Sequence, residues 1–336
     1  MAVKFTKPEI NVREKLAELD KPSGIAGEAM LRAETPQEQF NLIGAGRRNL
    51  MFNGKLDVWQ RGTSFTSAAG GYTADRFLHT NFSGATPNIT KVTGYGEFRN
   101  AIRYTSIDGS GSDQIEVEQR FESTDLPQSG DLTLSYWIRG SKPGKIRTGR
   151  IINSGGTTNT GYDYREVNTE WSKITITVTA IAATVSQYYR LFILDGLLPY
   201  MTDDAVWLEI TGIQLEIGKV ATPFEHRPYG EELALCQRYY QHWNLPSYTR
   251  LAIGFVDINT RIMCTIPMPV QLRSLVSVGH NGLTLEGSAV SSFGFQLTNG
   301  ALSGSINRSN TGLTVGQMAQ AYAVGSGAYF FANGEL

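Results

Sequence analysis

The sequence predicts a mainly β protein: an antiparallel jelly-roll β-sandwich, a smaller C-terminal β domain, a short α-helical N-terminal arm and a linker helix. Three observations predict it. Several segments alternate apolar and polar residues with period two, which turns one strand face to a core and the other to water. Short clusters of Gly, Ser, Asn and Asp separate those segments. The 336 residues include 36 glycines and only 18% charged residues, a mixture that suits strands joined by tight turns. A chain of this length exceeds one ordinary core and points to more than one domain.

Residues 1–47 differ from the rest of the chain and are expected to be the arm. Asn11-Val12-Arg13-Glu14 has the form of a capping box, with Leu16 and Leu19 at helical spacing and Pro22 and Gly24 ending the run. Thr35-Pro36-Gln37-Glu38 repeats the signal ahead of Phe40 and Leu42. Helices this short must dock on something else or remain flexible, and an arm that orders against a partner is the reading preferred. Ile10, Val12, Leu16, Leu19 and Phe40 are the expected attachment residues.

Residues 48–226 read as the sandwich. Ile115–Phe121, Leu132–Ile138, Ile174–Val178, Tyr189–Leu194 and Val206–Glu216 alternate, and Asp108–Ser112 and Ser154-Gly155-Gly156 are turns between strands. Residues 227–247 read as the linker, with a helix from Tyr229 to Trp243. Leu233, Gln237 and Tyr240 lie on one row, with Leu235, Tyr239 and His242 on the next. Residues 248–336 return to strands at Arg250–Ile258, Arg261–Ile266 and Ser274–Val278, and Pro267 and Pro269 close one of them.

Charge and motifs exclude most chemistry. The net charge of −1 provides no field for neutralising phosphates, so nucleic acid is not an expected partner. No apolar run is long enough to span a bilayer, and Met1–Leu19 mixes charge with hydrophobes, unlike a signal peptide. Cys236 and Cys264 are expected as buried free thiols. His79, His226, His242 and His280 have no metal-ligand spacing, so no metal or cofactor is expected. Asp203-Asp204 is expected as a turn that could also offer oxygens to a structural Ca²⁺. No nucleophile elbow, phosphate loop or dinucleotide fingerprint occurs, and Gly94-Tyr95-Gly96 reads as a turn. Glycan cleavage needs an opposed carboxylate pair about 5–9 Å apart. Glu116 and Glu118 share a strand face, but alternation assigns that face to solvent, so no catalytic residue is expected. Exposed Tyr and Trp rings could stack on sugars, yet Trp59, Trp137, Trp171 and Trp207 fall in or beside apolar strand patterns and are expected in the core.

Asn53-Gly54-Lys55-Leu56-Asp57-Val58-Trp59-Gln60-Arg61-Gly62-Thr63-Ser64-Phe65, followed by Tyr72-Thr73-Ala74-Asp75-Arg76-Phe77, resembles a segment of tailed-phage and prophage tail-fibre-like proteins. There it opens a jelly roll similar to carbohydrate-binding modules. Ile213–Gly218 with Ala221–Glu225 resembles the closing strand of such modules, and Glu231–Tyr240 their linker helix. Ile266–Val270 with Arg273 is similar to a strand ending in their C-terminal domain, and Val12–Leu31 resembles the arm of some marine phage virion proteins. The resemblance implies a structural virion protein, a fibre, knob or decoration made in the host cytoplasm. It implies a homotrimer that anchors to other virion proteins through its arm and touches host surface polysaccharide or stabilises the particle. Trp59, Arg61, Tyr72, Asp75 and Arg76 are its structural motif, with Asp75 and Arg76 expected to pair beside Tyr72 and Trp59 to fill the core. Two other classes remain open: a glycan-binding module of a secreted or cell-surface adhesin or enzyme, and a capsule-degrading enzyme.

Overall fold

The computed structural model describes residues 48–66, 68, 70–82, 87–105, 114–159, 163–195 and 206–336. The expected arm with Ile10, Val12, Leu16, Leu19 and Phe40, the Asp108–Ser112 turn and Asp203-Asp204 lie outside these residues.

Among the described residues, strands dominate. Before the helix run β1 (Ser64–Phe65), β2 (Gly71–Tyr72), β3 (Leu78–Phe82), β4 (Asn88–Thr93), β5 (Asn100–Thr105), β6 (Gln114–Glu122), β7 (Asp131–Gly140), β8 (Gly144–Thr148), β9 (Arg150–Asn153), β10 (Asp163–Val167), β11 (Ser172–Thr179), β12 (Tyr188–Leu194) and β13 (Trp207–Ile217). A six-stranded antiparallel sheet has the order β1-β4-β5-β13-β7-β11, and a five-stranded one the order β2-β3-β6-β12-β9. Neighbours far apart in sequence, such as β13 beside β5 and β7, give the jelly-roll crossing of the chain. The alternating segments of the sequence fall in these strands, save Val206, which precedes β13.

Period two fills the core. Leu132, Leu134, Tyr136 and Ile138 of β7 and Ile174, Ile176 and Val178 of β11 point inward from the larger sheet. Ile115, Val117 and Phe121 of β6 and Leu191 of β12 meet them from the smaller one. Burying a side chain of this kind contributes about 1.5–3 kcal/mol, which gives the sandwich its main driving force.

Helix α1 (Tyr229–Gln237) is shorter than the pattern suggested. The chain turns at Arg238, and Tyr240–Leu245 is strand β14, although the spacing predicts a helix running on to Trp243. The reason is tertiary. The Tyr-Gln-His-Trp-Asn-Leu run suits a pleated surface, and a strand from the far end of the chain is there to pair with it. The remaining strands are β15 (Arg250–Ile258), β16 (Arg261–Pro267), β17 (Ser277–Asn281), β18 (Leu283–Leu285), β19 (Ser288–Thr298), β20 (Ala301–Arg308), β21 (Met318–Ala323) and β22 (Ala328–Asn333). β14, β22 and β17 form one small sheet, and β15-β16-β20-β19-β18-β21 close into a barrel around Val256, Ile262, Leu285, Leu302 and Ile306. Cys236 is buried, Cys264 is half-buried, and both thiols are free.

Candidate functional site

The parity that fills the core also decides what reaches the outer face of the six-stranded sheet. On β7, Tyr136 and Ile138 point inward, so Trp137 and Arg139 point outward. On β13, Leu208 and Ile210 point inward, so Trp207 and Glu209 point outward. Registers Glu209↔Arg139, Glu209↔Arg103 and Trp137↔Lys173 place Arg103 and Lys173 on the same face. None of Trp137, Trp171 or Trp207 is buried, which corrects the expectation that they are core residues. Trp59 is also only half-buried. It packs on the margin of the core, its Nε1 donates to the Leu56 carbonyl at 2.6 Å, and Lys91 lies over its ring.

The β4–β5 hairpin completes an aromatic platform. Gly96 has φ +59°, so the turn is tight and lifts Tyr95 onto the sheet. The Tyr95 ring lies 5.5 Å from Trp171, stacked, and 4.9 Å from Trp137, tilted. Tyr95 is 40% exposed and presents the most open ring of the group. Arg139 sits between the rings, 5.0 Å from the centre of Trp171 and 5.5 Å from that of Trp207, and Arg103 is 4.5 Å from Trp207. Both guanidiniums converge on the buried Glu209, each donating through Nε at 2.7 Å. This holds cations beside ring faces, an arrangement attractive in itself.

The same hairpin continues into a polar cleft of about 610 Å³, lined by Lys55, Asp57, Glu97, Arg99, Asn100, His226 and Tyr229. Asn100 donates to Asp57 at 2.7 Å, Lys55 pairs with Asp57 at 3.1 Å, and His226 meets Glu97 at 2.9 Å. Phe98 floors the hairpin, packed edge-on against Phe224 at 4.9 Å.

The outer face of the five-stranded sheet is different. Glu116 and Glu118 do point away from the core, but they are buried, contrary to the solvent-facing expectation. Arg120 and Arg190 donate to Glu118 at 2.8 and 2.7 Å, and Arg150 bridges Glu116 at 3.1 Å to Asp195 at 2.5 Å. Guanidiniums from three strands therefore cover the carboxylates. Burial, then the neighbouring Asp195, pushes the Glu116 carboxyl up to about 7. Among the described residues no cluster of His, Cys, Asp and Glu has the geometry of a metal site.

The structural motif Trp59, Arg61, Tyr72, Asp75 and Arg76 sits away from the platform and ties the chain together. Asp75 and Arg76 do not pair with each other. Asp75 accepts from the Gln60 backbone at 2.6 Å and side chain at 2.8 Å and faces Arg61 at 3.5 Å. Arg76 pairs instead with Glu335, as does Arg61 at 3.1 Å, and the Tyr72 hydroxyl donates to the Leu336 carbonyl at 3.4 Å. Adjacent residues in this turn, with Arg76 at φ +70°, point to different partners, so the pair expected from adjacency does not form. Burial pushes the Asp75 carboxyl up, with Arg61 and Gln60 opposing.

Sequence reasoning misses the platform as a site, although strand parity alone sends Trp137 and Trp207 outward. Tyr95 carries no such signal. Its place depends on where the hairpin lies against β7.

Fold and site together define an antiparallel β-sandwich with a ring-and-guanidinium surface on one sheet. No protein-family model matches the chain, and no curated protein matches it. Among solved structures, its neighbours include carbohydrate-binding modules. A CBM61 module in complex with β-1,4-galactotriose aligns at TM-score 0.32 and 16% identity, over 51% of this chain and 99% of the module. The N-terminal cellulose-binding domain of Cellulomonas fimi β-1,4-glucanase C aligns at TM-score 0.30 and 18% identity, over 48% and 97%. The enzymatically active domain of bacteriophage CBA120 tailspike protein 4 aligns at TM-score 0.34 and 9% identity, over 51% of this chain and 21% of that one.

Proposed function

We propose that the protein is a non-catalytic glycan-binding module that works through the outer face of its six-stranded sheet. The observation that carries this is the Tyr95–Trp171–Trp137 cluster, held at the surface with Arg139 against it. Pyranose rings offer an apolar face to an aromatic ring and hydroxyls to guanidiniums, and this surface supplies both partners in one patch. Glycan-array binding of the wild type, followed by calorimetry on Tyr95→Ala and Trp171→Ala, tests it. Each substitution should weaken binding about tenfold or more, the equivalent of one lost stacking contact. Undiminished binding by both variants would overturn the assignment of the site.

The setting we propose is the surface of a tailed-phage particle, in a homotrimer that multiplies weak contacts. Copy number raises avidity about 10²–10⁴-fold without a strong single site. The support is the resemblance of Asn53–Phe65 and Tyr72–Phe77 to fibre-like proteins. Those residues build the scaffold rather than the platform, so they speak for architecture and not for ligand. Mass measurement at micromolar concentration tests the trimer, and a persistent monomer would refute it. Cryo-microscopy of particles lacking the chain tests the location.

A further inference from the structure

We infer that the platform selects acidic glycans, seating a uronate ring on Tyr95 with its carboxylate taken by Arg139 and Lys173; this rests on the glycan-binding function proposed for the same face. The charge count on this face is uneven. Arg103 and Arg139 share a single carboxylate, Glu209, which is fully buried beneath them. One positive charge is therefore left over. Arg139 meets Glu209 through Nε, so its terminal nitrogens are not used in that bond. Lys173 stands opposite Trp137 on β11, exposed and on the same face, and adds a second unmatched cation. Two exposed carboxylates flank the rings in sequence: Glu170 precedes Trp171, and Glu97, two residues after Tyr95, is taken by His226 at 2.9 Å.

A neutral sugar needs no such excess. A uronate does: its ring carbons stack on an aromatic face while the carboxylate projects from the ring edge, where a planar guanidinium can take it with two hydrogen bonds. The whole chain has a net charge of −1, so the excess is local and acts on the carboxylate seated at this face rather than through a broad field.

Polygalacturonate and its fully methyl-esterified form share one backbone and differ only in charge, and alginate offers a second uronate polymer. The wild type should bind at least one uronate polymer, and bind polygalacturonate about tenfold or more tighter than its methyl ester, with the difference shrinking as salt rises. Lys173→Gln, an exposed change at a side chain with no ion pair among the described residues, should narrow that ratio. The double substitution Arg139→Gln with Lys173→Gln, which leaves Arg103 to compensate the buried Glu209, should bring it near one. Tyr95→Ala should weaken both polymer forms together. Equal affinity for the charged and esterified forms, with Tyr95→Ala still weakening both, would overturn the acidic preference and leave glycan binding standing. Binding to no polymer, or only to single-stranded nucleic acid, would overturn both.

Discussion

Arg76 and Glu335 form a buried ion pair across 259 residues of chain. Arg76 is fully buried and adopts a left-handed backbone at φ +70°, a conformation that costs a side-chain-bearing residue roughly 1 kcal/mol. Its guanidinium lies 3.5 Å from the centre of the Tyr239 ring and also donates to the Arg120 carbonyl. One side chain thus ties the turn after β2, the strand β6, the end of α1 and the segment after β22. Arg227 does similar work nearby, donating to the carbonyls of Met51 and Asn49 while pairing with Glu232 at 3.2 Å.

Removing the Glu335 carboxylate should therefore be costly. In Glu335→Gln the Arg76 charge stays buried without its counterion, a situation that typically costs about 3–5 kcal/mol. Urea denaturation should show that loss. A double Arg76→Met, Glu335→Leu variant, which removes both charges, should recover much of it. A Glu335→Gln protein as stable as the wild type would show that the pair holds nothing together.

How much of this is legible in the sequence depends on distance along the chain. Strand positions are legible because parity is local: Leu132-Thr133-Leu134-Ser135-Tyr136-Trp137-Ile138 spells β7 almost to its ends. The outward placing of Trp137 is in the same letters, although its hydrophobicity argues against its parity. The burial of Glu116 is not legible, because its covering arginines come from Arg150 and Arg190, 34 or more residues away. The same holds for β14. Its helical spacing is real, and only β22, paired through Tyr240↔Asn333, turns it into a strand. For Asp75 and Arg76, adjacency suggests a pair, and the backbone turn between them sends each to a partner no local pattern names.

Glu116 gives the protein a pH dependence of defined sign. Its carboxyl is raised to about 7 in the fold, against 4.5 for the ordinary group. Between those values the folded state binds more protons than the unfolded chain, so stability from this group is present below pH 4.5 and is lost as pH rises through 7. His79 acts oppositely. Burial pushes its imidazole down to about 4, so its contribution is present above about 6.5 and is lost as pH falls toward 4. Comparing wild type with Glu116→Gln isolates the first group. Urea midpoints at pH 5 and pH 8 should show the wild type losing on the order of 1 kcal/mol relative to the variant, allowing for solvent screening on the arginine side. Parallel pH profiles would refute the raised carboxyl.

Trp137 and Tyr136 are neighbours that should behave as opposites. Tyr136 is fully buried and its hydroxyl donates to Thr148 Oγ1 at 2.9 Å, so Tyr136→Ala removes core volume and should cost about 3–5 kcal/mol. Trp137 contacts Tyr95 on the outer face, so Trp137→Ala should cost about 1 kcal/mol or less while weakening glycan binding. Calorimetric melting and binding measured on the same two variants check this, and a Trp137→Ala protein as damaged as Tyr136→Ala would return Trp137 to the core.

Gly212 offers a way to disturb the platform without touching a ring in it. It lies in the β13 bulge at φ +60°, and a Cβ there would stand 2.5 Å from the Phe98 ring. Phe98 floors the hairpin that carries Tyr95, and Thr211, next to Gly212, donates to the Asn100 carbonyl at 2.6 Å at the hairpin's far end. Gly212→Ala should therefore strain the backbone, displace Phe98 and shift Tyr95 off Trp171. The expected result is a fold weakened by about 1–3 kcal/mol and a loss of glycan affinity larger than the stability loss alone would produce. Tyrosine and tryptophan fluorescence would register the broken Tyr95–Trp171 stack. Unchanged affinity and fluorescence in a folded variant would mean that the hairpin's position does not set the binding surface.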